Sequence, residues 1–165
     1  MDSMGREKLY LQRAENELSL ARSIFKISGD AKLKEELELK PGETFYSNVI
    51  NACYYCVFYS AKAFLIKKGI RTEPPEEHRK TYNEFEKLVS RGVVDVELLK
   101  IYRTMAVRAD ELLGIFMAEK KKRGHFTYDR LPQANMTPAE ESIRNAEKFF
   151  RNMYLITGKA ASGSD

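Results

Sequence analysis

The stretch that most constrains this chain runs from Phe45 to Ala61 and carries no charged side chain. Tyr54, Tyr55, Phe58 and Tyr59 crowd into it, with Phe64 just beyond. Two stripes at helical spacing pass through it. One reads Tyr46, Val49, Cys53, Cys56/Val57, Ser60 and Phe64, and the other Ile50, Tyr54, Phe58, Ala61 and Leu65. A helix apolar on two faces needs neighbours on both, which predicts the central helix of a bundle over Phe45–Lys68. A membrane span is the rival, since about 20 apolar residues cross a bilayer. Ser47, Asn48, Asn51 and Lys62 fall within that length. Polar side chains are costly in lipid, so the expectation is a core helix and no membrane.

The flanking sequence supplies the neighbours. Tyr10, Ala14, Leu18, Ala21 and Phe25 make one stripe of a helix over about Gly5–Ile27, which Ser28-Gly29-Asp30 is expected to break. Residues 31–39 are left open between a short helix and a loop. Pro41-Gly42 follows, with Glu43 or Thr44 as candidate caps of the central helix. Gly69 marks that helix's end. A third helix runs from near Pro75 to Ser90, carrying Tyr82, Phe85, Leu88 and Val89, and is closed by Arg91-Gly92. A fourth starts after Asp95 and reaches about Lys122 through Leu98, Ile101/Tyr102, Met105, Ala109, Leu112 and Ile115/Phe116. The last has Thr137 as N-cap, Pro138 at N1 and Glu140 at N3, and ends at Gly158. Its stripe is Ile143, Ala146, Phe150 and Met153. The fold class is all-α, an up-and-down antiparallel bundle of four to five helices. The 165 residues suffice for one domain, read as 1–158, with 159–165 a flexible tail.

Charge and cysteines narrow the chemistry. The net charge is +4. Lys120, Lys121, Lys122, Arg123 and Arg130 cluster against only Glu119 and Asp129. Such a run is either a solvated helix end or a phosphate-binding patch. Cys53 and Cys56 are the whole cysteine complement. A zinc site usually takes four protein ligands, so the pair would need a second copy across a dimer. The plainer reading is two buried thiols in a reducing cytoplasm, with no metal and no cofactor. No apolar run near Met1 reads as an export segment.

These residues carry a resemblance. Ala52-Cys53-Tyr54-Tyr55-Cys56-Val57-Phe58 is similar to the AYYAxFH segment of HEPN-domain proteins, and the match continues through Ala61–Leu65, Gly69 and His78. Arg123–Asp129, RGHFTYD, with Tyr128 and Asp129, resembles the RxxADYD stretch of one HEPN branch. The segment from Ala139 to Phe149 fits the family's last helix, so the resemblance spans about Leu9 to Ile156. It implies a helical bundle that pairs as a homodimer. It also implies a toxin–antitoxin or defence role, beside a small nucleotidyltransferase. Active members are metal-independent ribonucleases. Their motif is an Arg, four to six residues, then a His, before the last helix and at the dimer cleft.

RNA cleavage through the 2′-hydroxyl needs an imidazole to move a proton and a guanidinium to grip the phosphate. His125 stands where the resemblance puts the imidazole. The matching earlier positions are Lys120, Glu119 and Ala118, none of them Arg. Lys120 supplies charge without the planar fork, and Arg123 has only Gly124 between it and His125. Arg71 and His78 have the right spacing but lie before the third helix, where His78 reads as a helix-start residue near the surface. Arg108 falls near an apolar stripe, as a paired buried Arg or an interface contact. The leading reading is a dimeric module that binds a partner or RNA. The alternatives are a ribonuclease using His125 with Arg123, and a structural dimerisation domain.

Overall fold

Helices form where the stripes predict them. The computed structural model describes residues 2–113 and 136–162, and all regular structure among these is helical. The elements are α1 (Ser3–Gly29), α2 (Ala31–Glu36), α3 (Tyr46–Lys67), α4 (Glu77–Ser90), α5 (Val96–Leu113) and α6 (Met136–Ser162). The bundle is organised on α3, which packs against α1, α6, α5 and α4. Every residue of its two stripes is buried. Each large apolar side chain so enclosed contributes about 1.5–3 kcal/mol relative to exposure. By length and composition α3 is also long and apolar enough to cross a membrane, yet 83% of its most apolar window is covered by the rest of the chain. That burial is the signature of a core helix.

The neighbours present the predicted stripes. Ala14, Leu18 and Ala21 of α1 are buried, as are Phe85 and Leu88 of α4, Leu98, Ile101, Tyr102, Met105 and Ala109 of α5, and Ala146 and Met153 of α6. Phe149, absent from the predicted stripe of α6, is fully buried against Phe85 and Tyr102, with ring centroids 5.4 and 5.7 Å away.

Helix ends depart from the sequence reading in four places. α1 runs on through Ser28 and Gly29, two residues past the expected Ile27, and the break within Ser28-Gly29-Asp30 falls at Asp30, with the Ser28 hydroxyl bonding back to the Ile24 carbonyl at 2.8 Å. Ser28 also accepts the Phe45 N–H at 2.8 Å. Neither Glu43 nor Thr44 caps α3: Phe45 occupies the cap position, with no side-chain cap. α6 starts at Met136, so Thr137 lies inside the first turn rather than capping it. Pro138 tolerates the shift because the first-turn N–H groups lack helical partners anyway. Gly158 does not end α6, which continues to Ser162, and the Thr157 carbonyl accepts from Lys67 Nζ. The open segment resolves into α2, capped by Asp30 accepting from the Leu33 N–H at 3.0 Å. The Pro41 carbonyl accepts from the buried Lys34 ammonium, fixing the loop that leads to α3.

Candidate functional site

The sequence singles out Tyr54 and Tyr55 on α3, and the structure builds a constellation on them. Burial pushes the Tyr54 phenol far above its ordinary pKa, so it stays protonated. Its hydroxyl shares a hydrogen bond with His78 Nδ1 at 2.7 Å. The His78 ring stacks on Phe58, centroids 4.1 Å apart, and meets Tyr55 edge-on at 5.8 Å. His78 is thus a half-buried residue in the first turn of α4, as its helix-start reading expects, with one side of its ring against the aromatic face of α3. Sequence placed it at a helix start, which says nothing of what faces that start. Desolvation, then the nearby Lys62 charge, lower its pKa below the ordinary 6.5. It is a neutral tether at pH 7.

Lys62 was noted only as a polar interruption. It is a buried cation that pairs with Glu77, the first residue of α4. Its ammonium lies 5.0 Å from the Tyr10 ring centroid and 5.8 Å from that of Phe58. A lysine following directly on the uncharged run Phe45–Ala61 was the available signal. Asp110 of α5 is also buried, and its charge further raises the Tyr54 pKa.

The other predicted site residues, Lys120, Lys121, Lys122, Arg123, His125, Tyr128, Asp129 and Arg130, lie outside the described residues. So do the expected end of the fourth helix at Lys122 and its Ile115 and Phe116. The helices flanking that segment are described, and Arg108 joins them. From α5 its guanidinium reaches Ser142 Oγ at 3.0 Å and Glu141 at 3.1 Å, both on α6. Ser142 in turn donates to the Pro138 carbonyl at 2.6 Å. Arg108 is thus a paired, half-buried arginine. The spacing match of Arg71 and His78 makes no phosphate site, since Arg71 is exposed on a loop while His78 is held among rings.

Cys53 and Cys56 are fully buried inside α3. Burial pushes the Cys53 thiol up to about 12, and Cys56 higher still. A metal needs thiolates, and sulfurs enclosed by their own bundle cannot meet those of a second copy. The half-zinc arrangement is excluded on geometry.

The model of the HEPN domain matches residues 8–154, nearly the whole chain. The protein belongs to the HEPN-domain family. The aromatic segment of α3, with Tyr54 and Tyr55, is the core of this HEPN bundle. No curated protein is similar enough to the chain to match it.

Proposed function

We propose that this HEPN protein works in the cytoplasm as a homodimeric module of a toxin–antitoxin or defence pair. In this reading it binds RNA through the basic run Lys120, Lys121, Lys122 and Arg130, beside a small nucleotidyltransferase, and does not cut. The observation that carries it is in the sequence. The cations are present, but at the positions that leave four to six residues before His125, where the motif has an arginine, stand Lys120, Glu119 and Ala118. A lysine attracts phosphate as a point charge but does not fork onto the transition state. Membership of the HEPN family supports the RNA-related role, and the resemblance supplies the partner.

Binding to a labelled single-stranded RNA, measured across a salt series, tests this. The affinity should fall steeply with salt. Replacing Lys120, Lys121 and Lys122 by Ala should reduce the log–log slope by roughly 0.7 for each lysine that meets a phosphate. Absent binding at low salt would leave only a structural dimerisation domain. Light scattering on the same sample should give twice the 19.1 kDa of one chain, and a monomer mass would contradict the dimer.

A second reading is favoured by His125 lying among those cations. A metal-independent endoribonuclease would use its imidazole for proton transfer and Arg123 or Lys120 for the phosphate. Cleavage separates the two.

A further inference from the structure

We propose that His78 is an acid-operated latch: protonating its ring releases the start of α4 from α3. The inference is independent of the RNA reading. Among the described residues, two attachments hold the first turn of α4 to α3. One is the Lys62–Glu77 pair, and the other is the His78 ring, bonded to Tyr54 and stacked on Phe58. The buried apolar anchors of α4, Phe85 and Leu88, lie in its later turns. The cap residue Glu76 sits at φ +57° and gives no side-chain cap bond, so its local geometry adds little hold.

Among the described residues, desolvation by the surrounding rings and the Lys62 ammonium oppose a charge at His78, and the Glu77 and Asp110 carboxylates act the other way. From α3, Lys62 already places an ammonium over Phe58, the ring on which His78 stacks. Tyr54 and Tyr55 present neutral phenols. From α4 itself, the Glu77 carboxylate is committed to Lys62. From α1, Tyr10 faces Lys62, and the Arg13 guanidinium lies 5.3 Å from the Tyr10 centroid. From α5, the negative charge of Asp110 acts on Tyr54. An imidazolium donates from both nitrogens, so the Tyr54 hydroxyl would be left only the role of acceptor. The lowered pKa agrees, with desolvation as its main cause and Lys62 second.

The sign follows from linkage. A histidine whose folded-state pKa lies below its unfolded value stabilises the closed turn fully above about 6.5. That contribution is lost as the pH falls through the folded value. Release therefore grows from about 6.5 downward and levels off below the folded midpoint.

The chain has two histidines, so His125→Gln leaves one imidazole to follow by NMR. The expected result is a His78 midpoint below 6.5. Amide exchange over residues 80–85, corrected for intrinsic rates, should quicken across the same range while far-UV circular dichroism holds. Lys62→Gln should move the midpoint up, since a cation leaves the site. A midpoint at or above 6.5 overturns the latch. So does exchange that ignores the titration, a midpoint unmoved by Lys62→Gln, or loss of helicity throughout the chain over that range.

Discussion

Tyr54 and His78 depend on each other more than either depends on its own helix. The phenol is buried and needs a partner for its hydroxyl, and the imidazole supplies one across the gap between α3 and α4. Tyr54→Phe keeps the ring that packs against Phe58 and removes the bond to His78. The variant should lose about 1 kcal/mol of stability by urea denaturation. A loss within a few tenths would mean that the bond contributes nothing. At this scale the sequence was half legible. The burial of Tyr54 and Phe58 followed from two stripes of period 3.6, which any reader can count. The enclosure of His78 did not, because its surroundings come from a helix more than a turn of chain away. Lys62 was equally opaque: its pairing with Glu77 depends on where α4 is laid down.

Helix ends show the same divide between local and distant causes. α2, α3 and α4 finish alike. At each end the N–H of the left-handed residue bonds back to a carbonyl three residues earlier, and the next N–H to one five earlier. Gly69 and Gly92 fill that position in α3 and α4, at φ +78° and +75°, and both were readable as stops. In α2 the position is held by Glu38 at φ +60°, where a Cβ is strained. Glu38→Gly should therefore raise stability by about 0.5–1 kcal/mol, which is about 1–4 °C in Tm. A fall in Tm would show that the glutamate side chain holds the turn. The start of α3 was legible to within one residue, but the partner of its cap residue was not, since the Phe45 N–H is satisfied by Ser28, seventeen positions earlier in the chain.

The described residues form a sheath of helices around one largely apolar, aromatic helix, α3. That much followed from the sequence, because a largely apolar helix permits few arrangements. The candidate ribonuclease site was legible as composition: a run of cations around His125 without the arginine that the HEPN pair requires. Arg108 ties α5 to α6 on either side of that run, a contact that spacing alone could not place. The account turns on whether a lysine-rich segment with an isolated imidazole binds without cutting. The direct measurement is a gel assay of labelled RNA incubated with the protein in EDTA, beside a His125→Ala variant. Intact RNA in both lanes, with a salt-sensitive complex retained by the parent, is the predicted result. Fragments from the parent that the His125→Ala lane lacks would contradict it and establish a metal-independent nuclease.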